Sequence, residues 1–164
     1  MDNFIIININ ASRISNIQRV TDLLNLIQVY NASVVCIQEI NVFSALKVFQ
    51  KYFQVVVNYD LQSNSNIGIV TLIRNNILLS DQILSLDGRI LGVKSKYFQI
   101  WNVYPISGGE NRKNRETFFR EGLTNLMMNW KDSTKYLFQS GDHNCTYCLK
   151  DFYIILSNTY NRGL

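Results

Sequence analysis

Proline is almost absent from this chain, with one residue in 164, and glycine is held to eight. Collagen-like, proline-rich and linker-like classes are thereby excluded. Cysteine is also sparse. Cys36, Cys145 and Cys148 are an odd set, which makes no disulfide framework in a chain of this length and fits a reducing compartment. Charged residues reach only 17%, whereas hydrophobic residues make up 47%, a balance that excludes disorder. No apolar run approaches the roughly 18 residues of a membrane span. The start, Met1-Asp2-Asn3, sets no positive charge ahead of the short apolar Phe4 to Ile7, unlike a secretory signal. The expectation is a soluble intracellular protein, one domain over 1–164, with no membrane partner and no obligate protein partner evident. A net charge of +4 permits a nucleic-acid partner without requiring one.

The patterning is mixed α and β. Phe4 to Ile9 is β-branched and continuous, as in a buried strand. Ser12 to Ser15 reads as a loop, with Ser15 or Asn16 as a helix cap. Ile17, Val20, Leu23, Leu24 and Ile27 then recur at helical spacing. Val34 to Ile37 is a second buried strand ending at Gln38-Glu39, so the first 40 residues suggest a right-handed βαβ unit. A short helix is expected over Val42 to Phe53. Strands follow at Gln54 to Asn58, Gly68 to Ile73, Ile77 to Leu86, Ile90 to Lys94 and Phe98 to Tyr104. Ser107-Gly108-Gly109 is a loop, Arg112 to Trp130 an amphipathic helix, and Tyr136 to Gln139 a strand opening into Ser140-Gly141-Asp142-His143-Asn144. Ile154 to Leu156 fits a helix or a strand. Strands that both alternate with helices and run consecutively suit an α/β sandwich better than a doubly wound sheet. No Gly-x-Gly-x-x-Gly follows the first strand, which argues against a dinucleotide fold.

Polar groups stand where apolar strands stop: Asn8 with Asn10, Glu39, Tyr104 with Asn102, and Asp142 with Asn144. Strand ends are where α/β proteins place ligand sites. Glu39 and Asp142, flanked by amides and a phenol, make an oxygen-donor set of the kind Mg²⁺ accepts. Each of these signals alone is more often a solvated turn or a cross-strand amide. Their ordered combination carries the weight.

That combination resembles the endonuclease/exonuclease/phosphatase superfamily, and within it the apurinic-type endonuclease domains of non-LTR retrotransposons. Ile6-Ile7-Asn8-Ile9-Asn10 is similar to the family's opening strand with its active-site Asn. Val35-Cys36-Ile37-Gln38-Glu39 is similar to its Gln-Glu motif, whose Glu binds metal. Ile67 to Arg74, Gly88-Arg89-Ile90-Leu91, Trp101-Asn102-Val103-Tyr104 and Arg115 to Phe119 resemble the elements that follow. Ser140-Gly141-Asp142-His143-Asn144-Cys145 resembles the Gly-Asp-Phe-Asn loop. The likeness runs in order from residue 4 to about 148.

The resemblance implies a DNase I-like four-layer α/β (α+β) sandwich and Mg²⁺- or Mn²⁺-dependent phosphodiester hydrolysis on DNA, in a nuclear setting. It assigns metal binding to Glu39 with Asn8 nearby, water activation to Asp142, positioning to Asn144 and phosphate contact to Tyr104. Arg13, Arg74, Arg112, Lys113 and Arg115 are the candidate DNA contacts. Three departures stand out: His143 replaces the usual Phe, Ala11 a common Gly, and no later segment supplies the family's closing Asp and His. Such a group is worth about 10² to 10³ in rate. The expectation is therefore an incomplete, weakly active or inactive copy. The alternatives are a non-catalytic folded fragment, or a phosphatase or RNase branch of the same superfamily. His143-x-Cys145-x-x-Cys148 has a zinc-like spacing, but no fourth ligand is evident and coincidence is the favoured reading.

A sandwich whose second sheet is only begun would leave apolar surface wet, at roughly 25 cal/mol per Å². The expected outcome is marginal stability. A cooperative thermal transition above about 50 °C in the isolated chain would refute it.

Overall fold

The computed structural model describes residues 4–105, 111–130, 136–141 and 153–157. Asp142, His143, Asn144, Cys145, Cys148 and the 107–109 loop lie outside the described residues, as does the side chain of Arg112. The elements run β1 (Phe4–Ile14), α1 (Ile17–Val29), β2 (Val34–Asn41), α2 (Val42–Phe49), β3 (Phe53–Tyr59), β4 (Ile67–Arg74), β5 (Leu79–Leu84), β6 (Ile90–Ser95) and β7 (Phe98–Val103). They continue with α3 (Arg112–Thr117), a π-helical stretch Phe118–Leu123, α4 (Thr124–Asn129), β8 (Tyr136–Gly141) and β9 (Tyr153–Ser157).

The strands form two sheets, ordered β3-β4-β2-β1-β9 and β5-β6-β7-β8. Within them, β1 and β2 are parallel across α1, and β7 and β8 are parallel across the 112–129 helical run. Period-two alternation sorts the side chains into layers. On β2, Val35 and Ile37 face α1 and α2 in one apolar cluster with Leu24, Ile27 and Phe49. Val34 and Cys36 point the other way, and meet Leu91, Val93 and Ile100 of the second sheet. Trp101 and Val103 on the far face of β7 pack beneath Leu123 and Trp130. The layering is therefore helix, sheet, sheet, helix. The second sheet carries four described strands, more than the bare beginning anticipated from the sequence.

Three local differences from the sequence expectation have physical causes. The 12–15 segment is not all loop. Ser12 and Arg13 adopt φ of 47° and 62°, which absorbs a bulge and lets Ile14 pair again with Ile40. The strand expected over 77–86 is shorter, because Ile77 closes a turn onto the Arg74 carbonyl and Leu86 lies in the turn before β6. The 154–156 ambiguity resolves as a strand, antiparallel to β1. Asn16 is the cap, its side-chain oxygen accepting from Gln18 N at 2.7 Å. Among the described residues no helix is long and apolar enough to cross a membrane.

Gly92 sits where the outer face of the second sheet is tightest. A Cβ there would lie 2.9 Å from ring carbons of both Trp101 and Trp130, two indoles packed edge-on with centroids 5.1 Å apart. Rigid rings cannot yield by rotating a terminal bond. Gly92→Ala is expected to cost about 1–3 kcal/mol, read as a lower urea midpoint at unchanged slope. An unchanged midpoint would contradict this packing.

Candidate functional site

Because β1 parallels β2 and β7 parallels β8, four strands end at one edge of the sandwich. Alternation then decides which of their polar side chains meet. Asn8 and Asn10, two apart on β1, both leave the helix-facing side that Ile7, Ile9 and Ala11 occupy. Gln38 follows Cys36 to the inner face of β2. Asn102 follows Ile100 to the inner face of β7.

These inward amides join the sheets. Gln38 Nε2 donates to Asn8 Oδ1 at 2.9 Å and to Asn102 Oδ1 at 2.8 Å. Ser140 Oγ of β8 donates to Asn8 Oδ1 at 2.8 Å. Asn102 Nδ2 donates back across the sandwich to Val70 O at 3.0 Å. The directions are mutually fixed. With Asn102 Nδ2 turned to a carbonyl, its oxygen faces Gln38, which must present its NH₂. Both Gln38 protons are then used, and its fully buried Oε1 has no partner among the described residues.

Glu39 would point to the helix side in a regular strand. Instead it takes φ of 54°, and the β2–β4 register shifts between Ile37 and Ile40. The bulge turns Glu39 to the open end, while Ile40 resumes in the helix-side cluster. β2 has no slack beyond it: Asn41 already caps α2, its side-chain oxygen accepting from Ser44 N at 3.0 Å. Glu39 Oε1 accepts from Tyr104 OH at 2.6 Å and from Asn10 Nδ2 at 3.2 Å. Tyr104 is held in turn by Arg89, whose carbonyl accepts from Tyr104 N at 2.9 Å. The Arg89 guanidinium donates to Tyr104 O at 3.2 Å and lies 5.6 Å from the phenol ring centroid. Glu39 Oε2 lies 3.8 Å from Arg13 Nε.

The structure thus brings Glu39, Tyr104 and Asn10 into direct contact, with Asn8 in the amide layer behind them. Gly141 pairs in register with Val103, the residue before Tyr104, and Asp142 is the next residue along the chain. Of the cations, Arg13 stands beside Glu39. Arg74 is at the opposite end of the sheet, because β4 runs antiparallel to β2. Its Nε donates to Ala32 O at 2.8 Å, and its terminal nitrogen to the backbone and side-chain oxygens of Asn31. Lys113 and Arg115 lie on α3. Sequence reading passed over Ser140 and Arg89 as site-supporting groups, and took Gln38 only as part of a motif. For Gln38, its position two residues after inward-facing Cys36 is the available signal. Cys36 itself is fully buried, which pushes its thiol up to about 12, so it stays neutral and supplies no nucleophile.

Among the described residues no cluster of three His, Cys, Asp or Glu exists. The donor set nevertheless suits Mg²⁺, a hard cation that takes one or two carboxylates and keeps its remaining waters. Glu39 offers such an oxygen, Oε2, on a carboxylate that is only 18% exposed.

No family model matches the sequence, and no curated protein matches it. Solved structures do match. TDP2 from C. elegans aligns with a TM-score of 0.67 at 13% identity, over 88% of this chain and 48% of that one. TDP2 from D. rerio, complexed with single-strand DNA product, gives 0.63 at 14% identity, over 88% and 62%. A mannosyl-6-phosphatase from Bacteroides thetaiotaomicron gives 0.64 at 13% identity, over 86% and 65%. These neighbours belong to the endonuclease/exonuclease/phosphatase superfamily, and the fold is DNase I-like. The chain spans between 48% and 65% of the length of these three neighbours.

Gln38→Ala removes the donor shared by Asn8 and Asn102 and strands a buried carbonyl oxygen. The expected loss is about 1–3 kcal/mol, seen as a lower urea midpoint. A variant as stable as the parent would show that the bridge contributes nothing.

Proposed function

We propose that the open end of the sandwich is a divalent-metal-dependent phosphodiesterase site of the nucleic-acid-cleaving, retroelement-endonuclease kind. The observation that carries this reading is the contact of Glu39 with Tyr104 and Asn10 where the sheets meet. That contact fixes one carboxylate oxygen, Oε1, so that Oε2 is the one a cation would take. The DNase I-like fold supports it, and so does the single-strand DNA product held by one structural neighbour.

In this reading Glu39 holds Mg²⁺ or Mn²⁺ through Oε2. A bound cation would polarise a phosphoryl oxygen and steady charge on the leaving oxygen. The chain's own groups do the rest. Tyr104 keeps Glu39 oriented through its 2.6 Å hydrogen bond; that bond uses the phenol's one proton, so donation to a phosphate oxygen would require Glu39 to release it. Asn10 braces the same carboxylate without adding a like charge. Asp142, one residue past the strand that carries Ser140, activates the attacking water, and Asn144 positions Asp142 or the phosphate. Asn8 serves from behind, through the amide layer that locks β1 to β8. The chain acts as one domain-type unit in this scheme, and DNA is its substrate class.

A supercoiled-plasmid nicking assay in Mg²⁺ tests the proposal. Slow nicking is expected, cut by at least about 10²-fold in Glu39→Ala and in Asp142→Ala, and abolished by EDTA. Absence of nicking, or nicking insensitive to both substitutions, would leave the non-catalytic reading standing. Phosphate release from sugar phosphates without nicking would favour the phosphatase branch.

A further inference from the structure

The Ser12–Arg13 bulge is wired to the carboxylate of Glu39. Asn10 is engaged at both ends of its amide: Nδ2 donates to Glu39 Oε1 at 3.2 Å, and Oδ1 accepts from Ser12 N at 2.8 Å. Ser12 and Arg13 are successive left-handed residues, which bulge β1 between Asn10 and Ile14 and place Arg13 Nε 3.8 Å from Glu39 Oε2. Oε1 is already committed to Tyr104 and Asn10, so Oε2 is the oxygen that both Arg13 and a cation would use. Arg13 is 80% exposed, whereas Glu39 is 18% exposed. The arginine can leave at little cost, and the carboxylate cannot follow it.

Resting on the metal site proposed above, we propose that Arg13 is an exchangeable occupant of the cation position. It neutralises Glu39 while the site is empty of metal, and it swings to a phosphate oxygen of the substrate once a divalent ion takes Oε2. Two positive charges on one carboxylate oxygen repel, and a guanidinium displaced from Glu39 needs another anion. A phosphodiester entering that mouth supplies one, in the bidentate geometry a guanidinium favours. Cation and phosphate binding are then coupled with positive sign, and the coupling is reciprocal.

Arg13→Gln separates the possibilities, with Mn²⁺ binding followed by electron paramagnetic resonance and no turnover needed. An exposed ion pair of this kind sets the scale, so the variant is expected to bind Mn²⁺ roughly two- to five-fold tighter than the parent. Fluorescence anisotropy with a phosphorothioate-linked oligonucleotide reads the second half. The parent should gain affinity when Mn²⁺ is added, and the variant should gain less. Arg13→Lys, a charge without the planar fork, should restore the parent's Mn²⁺ affinity but only part of the coupling. Equal or weaker Mn²⁺ binding in Arg13→Gln, or an unchanged gain in oligonucleotide affinity, would overturn the exchange while leaving the metal site intact. Failure of the parent to bind Mn²⁺, with Glu39→Gln no different, would remove the exchange and the metal site together.

Discussion

The structure depends on an amide bridge at the open end of a sandwich whose sheets otherwise meet mainly through apolar side chains, with Asn58 Nδ2 donating to Ser85 O and Ile90 O as a second polar link. Below the bridge, Val34, Cys36, Ile69, Leu91, Val93 and Ile100 pack as a dry interior. Apolar packing is non-directional and would tolerate one sheet sliding over the other. Gln38 removes that freedom. Its NH₂ reaches oxygens on β1 and β7 at once, and a slide by one residue would bury three amides without partners, each at about 1–3 kcal/mol. Ser140 adds β8 through Asn8. The four strand ends that matter for chemistry are therefore in register because a buried hydrogen-bond network allows only one register.

The bulge at Glu39 turns this rigidity to use. In unbroken alternation Gln38 and Glu39 would face opposite sides of β2, and no strand could offer both a buried bridge and an exposed carboxylate at its end. One residue at φ of 54° puts both on the same side. A left-handed glutamate costs of order 1–3 kcal/mol. The surroundings offset that cost by over-determining the residue: Asn41 starts a helix two positions on, Val42 N bonds Asn66 O at 2.9 Å, and Tyr104 and Asn10 grip the carboxylate. The bulge in β1 at Ser12 and Arg13 lies alongside, so two neighbouring parallel strands depart from regularity at the same level.

Most of the layering was legible from alternation and helical spacing, because burial on both faces leaves runs such as Val34 to Ile37 few places to go. The family likeness carried the DNase I-like expectation further, through the order of short motifs. What escaped was local. Nothing in Ala11-Ser12-Arg13-Ile14 announces two left-handed residues, since neither Ser nor Arg favours that region, and the reason lies in Ile14 regaining Ile40 across the sheet. The remoteness of Arg74 from Glu39 was hidden for a related reason: a strand end looks alike in sequence whichever way the strand runs. Gln38 and Asn102 were visible as polar residues, but their burial follows from a sheet-to-sheet contact 64 residues apart in sequence, which no local window contains.

The amide bridge also sets the electrostatics of the mouth. Had the bridge been ionic, its charges would have to be desolvated, and they would compete with Glu39 for any incoming cation or anion. Amides and one hydroxyl join the sheets with dipoles alone. Among the described residues Glu39 and Arg13 form an ion pair at that end, one gripped and the other loosely held. An asymmetric pair of this kind presents little net field to a passing ion, yet can present a carboxylate to a cation and a guanidinium to a phosphate when both arrive. The neutrality of the buried layer is thus what lets one fixed carboxylate and one loosely held guanidinium decide what the site attracts.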